Sequence, residues 1–414
     1  MPKLRFKDSR RQEFPEWINQ RIGEVSIKVI SGGTPDTNNA RYWNGNINWL
    51  TPKEINSKYV KSSLRKISEL GYQKSSAKLL PKGTVILTTR ASIGLCCIQN
   101  TDSSFTTNQG FQSILFNPEK VYSEYGYYFL ITDETQRKMK QLASGSTFLE
   151  LSPKNLKKLN IPVPSLPEQQ KIADFLTAYD TMIDTQSQRV GAMKTRKKGL
   201  LQKIFSQEIR FKDEQGREYP EWIVQKLEEL VSMHARIGWQ NLRTSEFLNS
   251  GDYYLVTGTD FVNGKIDFST CHYIGKERFE QDKKIQLDND NILITKDGTL
   301  GKVAYVDILP KPTTLNAGIF CLKSKKQNIN MKYLFQYLRG PFMMQYCNRH
   351  STGGTIKHLN QGVLITFPVP LPSLSEQQKI ADFLTAVDHQ IEVEENRLER
   401  MQVIKKGLLQ QMFI

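Results

Sequence analysis

An α+β fold is predicted, with two similar globular bodies separated by two long helices that form an antiparallel coiled coil, pseudo-two-fold and circularly repeated. Three observations predict it. The segment PSLPEQQKIADFLTAYD at Pro164–Asp180 returns 208 residues later as PSLSEQQKIADFLTAVD at Pro372–Asp388, and KKGLLQ at Lys197–Gln202 returns at the same offset as Lys405–Gln410. RFKD at Arg5–Asp8 with PEWI at Pro15–Ile18 recurs as Arg210–Asp213 with Pro220–Ile223. Finally, each PEQQ or SEQQ segment opens a long run with an apolar residue at heptad spacing.

The elements follow in order: a first body over 1–163, a central helix over 164–208, a second body over 209–371 and a C-terminal helix over 372–414. The first body mixes short β-rich runs (Gly83–Thr89, Gly110–Phe116) with turn signals such as Gly32-Gly33-Thr34-Pro35 and Asn44-Gly45-Asn46. The second has matching pieces. Asn291–Thr295 follows the pattern of Val85–Thr89, Asn316-Ala317-Gly318 echoes Asn108-Gln109-Gly110, and Thr352–Thr355 answers Ser144–Thr147. Each body leaves through a proline-punctuated extended segment, Ile161–Pro164 or Phe367–Pro370, because proline cannot continue a helix interior. Ser165 or Ser373 then caps a helix, with Glu168 or Glu376 three residues on at capping-box spacing.

The seam of the central helix is Ile172, Leu176, Tyr179, Ile183, Gln186, Val190, Met193, Lys197, Leu200 and Ile204. That of the C-terminal helix is Ile380, Leu384, Val387, Ile391, Glu394, Leu398, Met401, Lys405, Leu408 and Met412. The polar breaks coincide, Gln186 with Glu394 and Lys197 with Lys405. A 3.5-residue apolar repeat over four to five heptads indicates a coiled coil; the alternative is an amphipathic helix lying on its own body. About 38 residues give a rod of roughly 55–60 Å. The repeat also closes on itself. Phe205 leads in five steps to Arg210, while Met1–Leu4 supplies nearly the same lead-in to Arg5, so the two termini are expected to be neighbours.

With 414 residues, several domains are expected. The formal net charge of +15 calls for an anionic partner, most simply nucleic acid, the alternative being a merely basic soluble protein. MPKLRFKDSRRQEF is charged from its third residue and is no signal peptide. No apolar run nears the roughly 18 residues that span a membrane. The five cysteines form no CxxC pair, which fits reduced, mostly buried thiols and a cytoplasmic location.

Catalytic motifs are missing from the sequence. It has no GxG, no Gly-Lys followed by Ser or Thr, and no Pro-Pro dipeptide, so a dinucleotide or S-adenosylmethionine loop of that type, a Walker A loop and an Asx-Pro-Pro-aromatic methylation motif are absent. The five histidines lack metal-ligand spacing. The expectation is a protein without its own catalytic residues or metal.

Candidate DNA contacts sit in loops rich in bidentate side chains, hydroxyls and basic groups. In the first body they are Thr34, Arg41, Thr89, Arg90, Ser92, Asn108, Gln109, Ser146 and Thr147. In the second they are Arg236, Gln240, Arg243, Thr259, Lys296, Thr299, Asn316, Thr355 and Lys357. Arg90, Gln109, Arg236, Gln240 and Lys296 are the choices for base edges. The helices and RFKD…PEWI segments nearly coincide between the halves, whereas the loops differ, TTRASIG against TKDGTLG and TTNQG against TLNAG. A shared frame with divergent tips fits two readers of two different sequences; drift in surface loops would mimic it.

On the PSLPEQQKIADFLTAYD and PSLSEQQKIADFLTAVD segments and the two KKGLLQ segments, with GGTP, Trp43…Trp49-Leu50-Thr51-Pro52, TTRASIG and TGTDFVNGKID in support, the whole chain resembles the specificity subunits of type I restriction–modification systems. The resemblance implies two target-recognition domains, each binding one half of an asymmetric interrupted site in double-stranded DNA, and a coiled coil that sets the gap. It implies no cofactor in this chain, two modification subunits that use S-adenosylmethionine to methylate adenine, and restriction subunits that use ATP and Mg²⁺. Two other readings stay open, a self-contained DNA methyltransferase or nuclease and a coiled-coil scaffold with incidental charge.

Overall fold

The computed structural model describes residues 2–145, 149–237, 242–350 and 358–413. Packing groups the chain into two units, Met1–Gln188 with Asn396–Ile414, and Arg189–Glu395. Each unit therefore holds one body, half of the central helix (Leu166–Phe205) and half of the C-terminal helix (Leu374–Phe413).

In the first unit a five-stranded sheet runs Ser26–Ser31, Phe111–Phe116, Val85–Thr88, Cys96–Gln99, Tyr59–Val60, antiparallel except for the last pair. A three-stranded sheet joins Arg65–Ile67, Trp43–Leu50 and Phe105–Thr107, the last two parallel. Strand residues alternate faces, and here both faces are covered. Val85 and Leu87 pack with Tyr125, Tyr128 and Leu130 of the helix Ser123–Leu130. Ile86 and Cys97 point the other way, against Leu50 and Phe105. A strand sandwiched in this way must be apolar throughout, which explains the unbroken VIL and CCI runs.

The second unit repeats the plan. Its four-stranded antiparallel sheet runs Val231–His234, Ile319–Ser324, Ile292–Thr295, Val303–Tyr305. Its three-stranded sheet joins His272–Ile274, Tyr253–Val256 and Thr313–Leu315. Ile292 and Ile294 face the helix Met331–Leu338, while Leu293 faces the smaller core around Val256 and Leu315. The body helices Ser123–Leu130, Asp133–Leu142, Met331–Leu338 and Phe342–His350 are absent from the sequence reading. Runs such as SEYGYYFL are aromatic on every side and carry no clear helical stripe.

The repeated motifs form one joint in each unit. Glu168 is fully buried and accepts from Arg5 Nε at 3.0 Å, Arg5 Nη2 at 2.8 Å and Trp17 Nε1 at 3.0 Å. Glu376 accepts likewise from Arg210 (3.3 and 3.0 Å) and Trp222 (2.9 Å). The capping-box expectation is thus corrected. These carboxylates turn to the RFKD and PEWI segments, and only the Ser373 half of a box is seen, with Glu376 N donating to Ser373 Oγ at 3.4 Å. The next residue ties the helix to its body. Gln169 Nε2 donates to Lys120 O and Gln169 Oε1 accepts from Tyr122 N, and Gln377 bonds Asn328 and Asn330 in the same way. Tyr125 and Tyr333 hydroxyls each donate at 2.6 Å to the carbonyl of the exit proline, Pro162 or Pro370.

Within the first unit Ile172 and Leu176 share a core with Leu409, Met412 and Phe413; within the second, Ile380 and Leu384 share one with Leu201, Ile204 and Phe205. The start of each helix therefore packs on the end of the other, which is antiparallel pairing. Both seam lysines find an aspartate there, Lys405 Nζ to Asp180 at 2.5 Å and Lys197 Nζ to Asp388 at 2.6 Å. Leu4 N donates to Gln411 O at 3.0 Å, so the two ends of the chain are neighbours.

Candidate nucleic-acid interface

Matched backbone bonds hold a cluster of loops at one end of the sheets in each unit. In the first, Thr89 N donates to Gly110 O (2.8 Å), Leu151 N to Thr89 O (3.0 Å) and Asn108 N to Leu50 O (3.1 Å). In the second, Lys296 N donates to Gly318 O (2.8 Å), Leu359 N to Lys296 O (2.9 Å) and Asn316 N to Val256 O (2.9 Å). Candidates far apart in sequence are brought together by this frame: Thr34, Thr89, Arg90, Asn108 and Gln109 in one unit, Arg236, Lys296 and Asn316 in the other.

The two frames diverge at one carbonyl. Thr107 O accepts from Gly33 N at 2.8 Å, whereas its counterpart Leu315 O accepts from the side chain, Arg236 Nε, at 2.9 Å. GGTP can tuck its backbone in because a Cβ on Gly32 would lie 1.8 Å from Asn108 O, and one on Gly33 2.3 Å from Ala77 N. In the second body an arginine bridges that distance instead.

Each candidate's surroundings differ. Thr34 Oγ1 bonds Gln109 Oε1, and Asn108 Oδ1 accepts from Gly110 N, which leaves Gln109 exposed at the tip. Arg90 is exposed and pairs with Glu150 at 2.8 Å. The turn after it places Ala91 at φ 58°, a conformation the second unit gives to Gly298 at φ 69°. In both turns a threonine hydroxyl, Thr88 or Thr295, donates to the carbonyl of Ser92 or Thr299. Lys296 lies back over the Phe320 ring at 5.4 Å, and Thr259 and Thr257 hydroxyls are 2.7 Å apart.

Two candidates need correction as surface readers. Thr89 is fully buried, its backbone N–H and hydroxyl both turned to Gly110 O. Arg236 is 2% exposed; burial, with Arg278 nearby, lowers its pKa from the usual guanidinium value, and its Nε–H supports the Leu315 carbonyl from inside. Arg41 and Arg243 are exposed. Arg41 sits on a short 3-10 turn where its carbonyl accepts from Ser68 Oγ, and Arg243 N donates to Glu246. Ser146, Thr147, Gln240, Thr355 and Lys357 lie outside the described residues.

Several neighbours escaped the sequence reading. Thr51 and Thr257 each donate, through N and Oγ1, to an acid three residues on, Glu54 or Asp260. The TPKE and TGTD spacing is a capping box and was visible. Glu54 also accepts from Leu64 N at 2.6 Å. Arg65 stacks 3.6 Å from the Trp43 ring centre, and Trp49 Nε1 donates to Gly33 O. His358 Nδ1 meets Asp297 Oδ1 at 2.5 Å. These last pairings join residues 10 to 61 positions apart, and no local pattern announces them. Among the described residues, no three His, Cys, Asp or Glu side chains converge as a metal would need, and no helix is long and apolar enough to cross a membrane.

This doubled frame has counterparts among known proteins. The family model described as the type I restriction modification DNA specificity domain matches twice, at residues 15–191 and 220–402. The chain belongs to the type I restriction–modification DNA specificity family. A type I restriction enzyme MjaIX specificity subunit from Methanocaldococcus jannaschii is 28% identical, over 97% of this chain and 93% of that protein. The fold is similar to that of the type I restriction–modification S subunit from M. genitalium, with TM-score 0.57, 18% identity, and 100% of this chain and 99% of that one covered. A chain from a type I R–M system solved for its complex assembly and conformational transition gives TM-score 0.60 and 17% identity, covering 97% of this chain and 98% of that one. Two copies of the specificity domain account for the internal duplication.

Proposed function

We propose that this chain is the non-catalytic, DNA-reading member of a type I restriction–modification complex, with each body reading one half of a bipartite asymmetric site. One observation carries the reading. Three matched backbone bonds in each unit hold loops of different sequence at equivalent places, as two readers of different half-sites require. The charge of +15 suits the phosphate backbone that such a reader must approach. The helix pair sets the number of unspecified base pairs and docks two modification subunits. Methyl transfer with S-adenosylmethionine, and ATP- and Mg²⁺-dependent restriction, belong to the partner subunits.

Mapping genomic N6-methyladenine with and without this gene tests the proposal. A two-part interrupted motif should be methylated only when the gene is present. Methyl transfer to DNA by the purified chain alone, given S-adenosylmethionine, would overturn it in favour of a self-contained enzyme.

A further inference from the structure

Each body is attached to its helix at two separate points. The first is the Glu168 or Glu376 joint, backed by apolar packing around Ile172–Leu176 and Ile380–Leu384. The second lies twelve residues further along, at Asp180 and Asp388, about 18 Å up the helix.

At this second point one carboxylate gathers three elements. Asp180, on the central helix, accepts from Lys405 of the C-terminal helix at 2.5 Å and from the hydroxyl of Tyr128, on the body helix, at 2.7 Å. Lys58, from the body, donates beside it to Thr177 Oγ1 (2.6 Å) and Tyr128 OH (3.2 Å). Asp388, on the C-terminal helix, accepts from Lys197 of the central helix at 2.6 Å, and from Gln336 Nε2 and Arg339 Nη1 of the body helix at 2.8 Å each. The lysine–aspartate core is the same in both units, whereas the body supplies different groups. The second body adds a further tie, since Lys265 and Asn263 of its hairpin bond Glu392 and Glu395.

Clefts flank this second point. A cleft of about 430 Å³, lined in part by Lys194, Lys198, Asn263 and Pro341, opens beside the Asp388 cluster. In the first unit a cleft of about 670 Å³ opens around Lys58 and Asp184, and another of about 550 Å³ beside Lys405. Beyond the apolar joint the body and helices are thus bridged by directly bonded polar groups flanked by open clefts.

We propose that Asp180 and Asp388 are positioning residues that fix the angle at which each recognition body stands off the helix pair, and thereby the gap length the protein accepts. Apolar contact at one end alone would leave the body a pivot. Replacing the direct ion pair by a water-bridged contact lengthens it by about 2 Å. Over an 18 Å lever that is roughly 0.1 radian, which moves a point about 30 Å away, a small domain's width, by about 3 Å. One base-pair step is about 3.4 Å. A loosened pin therefore blurs the gap by one base pair without detaching the body.

The effect on DNA rests on the specificity reading; the angle itself does not, so the test separates them. In the full chain, spin labels at Lys283→Cys on the second body and Gln390→Cys on the helix report the angle directly, because the five native cysteines are buried. The distance distribution should be narrow with Asp388 intact and broaden in Asp388→Asn, and in the milder Arg339→Gln should the first fold poorly. In the complex with its methylation partner, Asp388→Asn should methylate gaps one base pair longer or shorter at least about tenfold better relative to the cognate gap. A merely structural role would lower the melting temperature and leave gap preference alone. Unchanged distance distributions in both variants would overturn the proposal, whatever the DNA results; a broadened distribution with unchanged gap preference would overturn its second half.

Discussion

Glu168 has no exposed surface, yet it carries two hydrogen bonds from Arg5, which precedes it by 163 residues. Three of the motifs that recur in this chain are the parts of two such joints, and the fourth, KKGLLQ, brings Lys405 and Lys197 to Asp180 and Asp388.

Removing the arginine strands the carboxylate. Arg5→Ala should lower stability by about 3 kcal/mol, the cost of leaving a buried charge without its partner. Arg210→Ala should do the same in the second unit. Urea unfolding at neutral pH measures both, and a loss below about 1 kcal/mol would show that Trp17 or Trp222 suffices.

Lys197 sits in the apolar seam, where burial and the neighbouring Arg339 outweigh Asp388 and push its pKa down from 10.5 to about 8. Between pH 8 and 10.5 the unfolded chain binds the proton that the folded chain has released, so the stability tied to this group rises with pH through that window. Burial opposes ionisation of Asp388, but Arg339 and Lys197 hold its carboxyl below the usual range, so it stays charged throughout. Relative to Lys197→Met, whose side chain does not titrate, the parent should therefore gain stability between pH 8 and 10.5, as paired urea titrations would record.

Arg236→Met deprives Leu315 O of its donor and should cost about 1–3 kcal/mol. Arg236→Lys should not rescue it, since a compact ammonium is more strongly hydrated than a guanidinium and costs more to bury at this site. Amide exchange over Leu315–Phe320 should quicken in both, and, on the proposed reading, methylation should lose dependence on one half-site and keep it on the other.

A heptad inserted after Gln188 together with one after Asn396 keeps the seam in register and lengthens the pair by about 10 Å. The methylated motif should then carry about three more unspecified base pairs, at about 3.4 Å each. Methylation sequencing with an unchanged gap would refute the spacing role.

The long helices and their antiparallel pairing were legible because a heptad is a local, periodic signal, and so was the meeting of the two chain ends, because the repeat implies it. The buried strands were legible as apolar runs. The body helices were not: SEYGYYFL is aromatic on every side, and MKYLFQYL, though Met331, Leu334, Phe335 and Leu338 stand at helical spacing, is only eight residues long. Composition singles out the loops around Arg90, Gln109 and Lys296, but it cannot tell an exposed threonine from the buried Thr89.

By itself the sequence determined the duplication, the seam and which segments repeat, since these are properties of order along the chain. Only the tertiary structure decided what the repeats are for: Glu168 meets Arg5 and Trp17, Asp388 meets Lys197 and Arg339, and Arg236 turns inward to a carbonyl. The reason is that a buried polar group must find its partner wherever folding brings one within about 3 Å. That partner can lie 163 or 191 residues away, a distance no local pattern encodes.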